Sequence, residues 1–170
     1  GVEFDATVIA AVLADLDVRA APFIGWRGGA SIGLELAARA DPSIGPFVAL
    51  QPWWPMQPPD DAAMPRFAPE LVPDTAGTHL LRAWHQIRDQ ELYEPWHDRR
   101  LANVVRHHEP DLDPQVVQHR LEALLRSGPQ AIDHWRSALQ FPWRERLARV
   151  ARPVIEIGRA SCRERVYHPV

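Results

Sequence analysis

Lysine is absent from these 170 residues, and nineteen arginines carry all of the basic side-chain charge apart from histidine. Twenty-two acids outweigh them, for a formal net charge of −3. With neither a basic excess nor a basic run, the chain lacks the surface a nucleic-acid partner requires. Arginine in place of lysine, together with 17 prolines, reads as GC-rich coding and not as the mark of a partner. Cysteine occurs once, at Cys162, which excludes an internal disulfide and a cysteine-based metal cluster. No apolar run approaches the ~20 residues of a membrane-spanning helix. No signal-peptide pattern opens the chain, so a cytoplasmic location is expected. What is present is ordinary for a globular protein: 46% apolar residues, enough for one domain or for a core segment plus an insertion.

The densest signal lies at residues 21–38, APFIGWRGGASIGLELAA. A short apolar run, Pro22-Phe23-Ile24, meets the turn Gly25-Trp26-Arg27-Gly28-Gly29. An alanine-rich segment follows, with Ile32, Leu36 and Ala37 on one face. The pattern predicts a strand, a tight turn and a helix in quick succession. Small residues flanking such a turn let strand and helix approach while the apex side chain projects outward. Two registers fit. One places Arg27 at the apex, framed by Gly25 and Gly29, with Trp26 and Gly28 beside it. The other, Gly29-Ala30-Ser31-Ile32-Gly33, places Ser31 at the apex, but its strand must then run through three glycines and an arginine. Because the apolar run ends at Ile24, the Arg27 register is the better fit, and in it Ser31 is a hydroxyl in the first turns of the helix.

This strand, turn and helix resemble the nucleophile elbow, G-x-S-x-G, of the α/β hydrolases. The flanking runs LDVRA (16–20) and LELAAR (34–39) resemble that family as well. The resemblance implies an α/β fold: a fragment of an α/β-hydrolase parallel sheet with an inserted, mostly helical cap. It implies a serine hydrolase of an ester, lactone or similar carbonyl substrate. Arg27 then stands where the nucleophilic serine is expected, and the Gly28 N–H is an oxyanion donor. No cofactor is implied.

Along the chain, residues 5–16 carry Val8, Ile9, Val12, Leu13 and Leu16, a one-faced helix that Asp5 would cap. Phe47-Val48-Ala49-Leu50 predicts the next parallel strand. Seven prolines across residues 51–74 forbid regular structure over most of that stretch. It opens on Trp53 and Trp54, where the family's cap leaves the core. Helices are expected over residues 77–92 with Thr78 as cap, 93–106 with an interruption at Glu94-Pro95, 113–127 from an Asp113-Pro114 start, and 129–139. The run GTHLLRAWHQIRDQELYEPW (77–96) looks like cap sequence of bacterial α/β hydrolases. LARVARPVI (147–155) resembles the approach to the family's next strand. The expected organisation is a core fragment at residues 1–52 and 146–157 and a helical cap at 53–145. Residues 156–166, EIGRASCRERV, resemble a translated sequencing adapter. Residues 158–170 are therefore expected to be a non-native tail that packs against little and adds no strand, and the chain to be truncated at both ends.

Arginine is permanently protonated and cannot attack a carbonyl carbon. The aspartate and histidine that complete the family's triad have no counterpart after residue 155. The chain as written is expected to be inactive, and Arg27→Ser alone to restore nothing, for want of base and acid. The alternative is a non-catalytic protein of the same fold that uses Arg27 to hold an acidic ligand; a further one is a plain helical interaction module. Trp53, Trp54, His79 and Trp84 are candidate pocket residues, which suits a small-molecule substrate with an apolar moiety and neither a nucleic-acid nor a membrane partner. No metal is expected: His79 and His85 fall on different helix faces, and His107-His108 are adjacent. His97 and His134, each beside a tryptophan, read as surface or packing residues, and Asp89 and Asp98 as solvated helix-face acids.

Overall fold

The computed structural model describes residues 1–55, 57–106 and 109–158, together with the backbone of Glu164–Tyr167. His107, His108 and Cys162 lie outside the described residues. The chain divides into two compact units, Gly1–Pro58 with His134–Val170, and Pro59–Asp133.

The first unit is built on a sheet of order β1-β2-β3-β4. β1 (Ala21–Trp26), β2 (Ile44–Leu50) and β3 (Val154–Ile157) run parallel. Proline lacks the ladder N–H, and the β1–β2 register shifts between Ala21 and Phe23, across Pro22. Two helices accompany the strands, α1 (Val2–Asp15) and α2 (Gly28–Ala38), which pack against each other, and α2 also packs on β1 and β2. Alternation along each strand decides which face is dry. Phe47, Ala49 and Val154 point under α2 and join Ala30, Leu34, Phe141 and Val150 in one buried cluster. Residues on the other face of β1, Ile24 at 68% and Trp26 at 56%, are open to solvent. Each large apolar side chain in that cluster contributes about 1.5–3 kcal/mol of burial.

One charge sits among these apolar groups. Glu35 of α2 is buried, yet its carboxylate accepts from Arg39 at 2.8 Å and from Arg146. Arg39 in turn donates to Thr7 Oγ1 and to the Glu3 carbonyl of α1, while Arg146 belongs to α7 (Trp143–Leu147). Three helices are thus fastened by one carboxylate. The Glu35 hydrogen bond is also the main reason the Arg146 guanidinium holds its proton more tightly than usual.

The second unit holds α3 (Met64–Phe67), α4 (Thr78–Leu92) and α5 (Pro114–Ser127), with α4 and α5 packed together. α6 (Pro129–Gln140) starts here and ends in the first unit. Asp113 accepts from the Gln115 N–H and Pro114 takes the first helical position, as the sequence predicts for α5. Among the described residues no helix is long and apolar enough to cross a membrane.

Four expectations are corrected. α1 begins at Val2, so Asp5 lies within the helix and caps nothing. Thr78 does not cap α4; Asp74 does, accepting from the Thr78 and His79 N–H groups. Residues 93–106 are not a helix. Pro95 cannot continue one, and the chain folds back so that Tyr93 bridges Val104, with only a 3-10 turn at Leu101–Asn103. The tail does add a strand: β4 (Glu164–Tyr167) pairs antiparallel with β3. An unpaired edge exposes a row of N–H and C=O groups, and the β-forming pair Val166-Tyr167 lies within reach of the one β3 presents.

Candidate functional site

The turn between β1 and α2 is set by hydrogen bonds on both sides of a single residue. The Arg27 N–H still belongs to the ladder, donating to the Leu50 carbonyl at 3.0 Å. Its own carbonyl already belongs to the helix, accepting from the Ala30 N–H at 3.0 Å. Strand must become helix within one residue, and Arg27 adopts φ 51° and ψ −116°. A side chain with a Cβ is strained there by about 1–3 kcal/mol. This is the register expected with Arg27 at the apex: β1 ends at Trp26 and α2 starts at Gly28. The guanidinium lies over aromatic faces, its Cζ 4.7 Å from the Trp26 ring centre and 5.8 Å from that of Trp53.

Glycines frame the turn for steric reasons. A Cβ on Gly25 would lie 2.5 Å from the Gly29 carbonyl oxygen and 2.6 Å from the Ala30 Cα, both backbone atoms that cannot yield. A Cβ on Gly28 would lie 2.8 Å from Nε2 of His134. At Gly29 a Cβ would meet nothing within 4 Å, so that glycine is not demanded by space. Ser31 is fully buried inside α2, and its Oγ accepts from the Trp54 indole N–H at 3.2 Å.

The two tryptophans after β2 part company. Trp53 stacks on Trp135 of α6, ring centres 5.6 Å apart. Trp54 stacks on Trp143 at the same separation, and the Trp143 indole donates to the Pro55 carbonyl. Trp53 therefore belongs with Trp26 and Arg27, Trp54 with Ser31. His79 and Trp84 lie on α4 of the second unit, where the His79 Nδ1 accepts from the Asp74 N–H. The four candidate pocket residues are thus divided between the two units.

A pair that the sequence did not announce lies at the turn. His134 of α6 and Asp5 of α1 meet through Nδ1 and Oδ2 at 2.8 Å, with side chains 36% and 31% exposed. A carboxylate only accepts, so in the neutral ring Nδ1 carries the hydrogen and Nε2 keeps its lone pair. That Nε2 faces Gly28, and it is neither hydrogen-bonded among the described residues nor a buried atom. The two residues are 129 positions apart, so no local spacing signals the pair.

The resolved shifts in acidity all have structural causes away from this turn. Burial lowers the His97 imidazole. A hydrogen bond from Arg100 holds the Asp98 carboxyl at about 2 and raises the Arg100 guanidinium in return. The Thr78 hydroxyl, foremost among several donors, holds Asp74 well below the usual carboxylate range. Asp89 is not the solvated acid expected: it is 1% exposed and paired with Arg88 and Arg99. No three His, Cys, Asp or Glu side chains among the described residues are grouped to hold a metal.

No family model matches the sequence, and no curated protein matches it. A solved structure does: the bromoperoxidase from Bacillus anthracis, an α/β hydrolase, superposes with a TM-score of 0.63 over 93% of this chain at 13% identity. The chain has the α/β-hydrolase fold. It covers 56% of that bromoperoxidase chain, a little over half its length. Within this α/β-hydrolase fold the parallel strands are β1 to β3, and the helical unit is inserted between β2 and β3.

Proposed function

We propose that the chain is built on the plan of a serine hydrolase of carbonyl substrates, with residues 25–29 as its nucleophile elbow and the inserted helices as its cap. The observation that carries this reading is the backbone of Arg27, a non-glycine residue held at φ 51° between the end of β1 and the start of α2. A strained apex of this kind presents its side chain outward and leaves the next N–H pointing at whatever lies there. With an arginine at the apex, acyl transfer through a side-chain oxygen does not occur at this position. Ser31, buried in α2, does not replace it. A fluorophosphonate probe tests this directly: the intact chain stays unlabelled. Mass-spectrometric recovery of the adduct on Ser31 overturns the reading and moves the apex four residues on.

The second reading is a binding protein that holds an acidic ligand through Arg27. Stacking of the guanidinium on Trp26 and Trp53 favours it, because aromatic faces hold a planar cation in a fixed orientation at the head of α2. Tryptophan fluorescence titrated with a benzoate series reports it, and Arg27→Ala abolishes the response.

A further inference from the structure

We propose that His134, positioned by Asp5, is a general base at the β1–α2 turn that activates water against an ester carbonyl. The inference rests on the reading of the turn as a carbonyl-binding elbow, but uses neither an apex nucleophile nor the triad of that plan.

Three observations carry it. The imidazole is oriented, since its Nδ1 is spent on the Asp5 carboxylate at 2.8 Å. Its opposite nitrogen is available, being unbonded among the described residues and not a buried atom. That nitrogen faces the turn, closely enough that a Cβ on Gly28 would meet it at 2.8 Å. A glycine at 28 is what lets the ring approach. An imidazole fixed at one nitrogen by a carboxylate and open at the other has the arrangement a proton acceptor needs. The first N–H groups of α2, those of Gly28 and Gly29, have no acceptor within the helix, and Gly28 lies beside the ring nitrogen. Trp135, next to His134 in sequence, and Trp53 stacked on it supply an apolar wall for an acyl or aryl group.

The step balances without a further reactant. As the water oxygen bonds to the carbonyl carbon, its O–H bond breaks and the proton passes to Nε2. The carbonyl π pair moves onto oxygen, where the N–H groups at the head of α2 stabilise it. When the C=O bond re-forms, the alkoxide or phenoxide leaves and takes the proton from Nε2. Water and ester become acid and alcohol, and the imidazole is neutral again. Asp5 touches no reacting atom; it is a positioning residue that holds the tautomer and steadies the imidazolium formed midway. The charged side chains on the elements that carry these groups are Glu3, Asp5 and Asp15 on α1, Arg27 at the turn, Glu35 on α2, and Asp133 and Arg136 on α6 itself. The expectation of an inert chain rested on the lack of a base, and this pair provides one.

The test is hydrolysis of 4-nitrophenyl acetate by the full chain between pH 5 and 9, with free imidazole at equal concentration as reference. The chain is expected to exceed free imidazole, with a rate that rises with pH. His134→Gln should lose on the order of 100-fold and the pH-dependent limb with it. Asp5→Asn should lower the rate by about 10-fold and displace the limb, which a merely structural tie between α1 and α6 would not do. An unchanged rate and profile in His134→Gln, or a chain no faster than free imidazole, overturns the proposal. Should either variant fail to fold, nitrogen-15 spectra of the unaltered chain decide. They are expected to show His134 as the Nδ1–H tautomer at high pH; the Nε2–H tautomer overturns the proposal. Fluorophosphonate labelling of Ser31 would instead strike at the reading of the elbow, so the two failures are told apart.

Discussion

In the first unit the largest fully buried side chains are apolar, Phe47, Phe141 and Leu34, and one buried carboxylate, Glu35, is spliced among helices that already share a core. In the second, the fully hidden apolar groups are smaller and fewer, such as Ala68, Ala83 and Val117. The buried acids there, Asp89 and Glu91, lie on a single helix and reach outward to Arg88, Arg99 and Arg120. Burial of a phenylalanine holds a position to within a fraction of an ångström, because a close-packed interior has nowhere to yield. An arginine with most of its length in water does not. The strained turn is accordingly found in the unit that can resist it.

That contrast is broken most severely at Phe47. Phe47→Ala removes a 1%-exposed ring from the cluster under α2 and should cost about 3–5 kcal/mol, roughly 10 °C in the melting of the whole chain by calorimetry. The second unit should be less sensitive at its own most buried charge. Asp89→Ala leaves Arg88 and Arg99 without their partner, but both are 33% and 59% exposed and turn to water. The loss should be about 1–3 kcal/mol in urea unfolding, nearer the lower figure at high salt. A cost equal to that of Phe47→Ala would erase the distinction. The smallest effect is one of pH at the head of α4. Because folding depresses the Asp74 carboxyl, its stabilisation is complete above the ordinary value of 3.8 and fades as pH falls below it. The melting difference between the chain and Asp74→Asn should be constant above that value and shrink on acidification.

Much of the first unit was legible because its signals are local. The run Phe23-Ile24 ending at a glycine cluster placed β1, the turn and α2, and the same kind of bounded run placed β2. Asp113-Pro114 placed the start of α5 for the same reason. Spacing misled over residues 93–106, where apolar residues recur at helical intervals but Pro95 forbids the hydrogen bonds the spacing requires. The site was legible only in part. Arg27 could be placed at an apex from the neighbouring glycines together with the apolar run that ends at Ile24. His134 could not be tied to Asp5, nor Arg146 to Glu35, because those pairs are made by the packing of α6 and α7 on α1 and α2 and leave no periodic trace. Asp89 looked like any surface acid, since its burial depends on where Arg99, ten residues later, returns to meet it.

Among the described residues β4 forms one margin of the sheet and β1 the other. Ile24 and Trp26 of β1 stand exposed at 68% and 56%, and Phe4, Val8 and Val12 of α1, with Leu16 just past its end, are exposed apolar groups at every fourth residue. A long-range charge of only −3 offers modest repulsion between copies that collide at that margin. A lysine introduced at Ile24 places a charge on this exposed apolar face and is expected to lower light scattering from concentrated solutions of the chain.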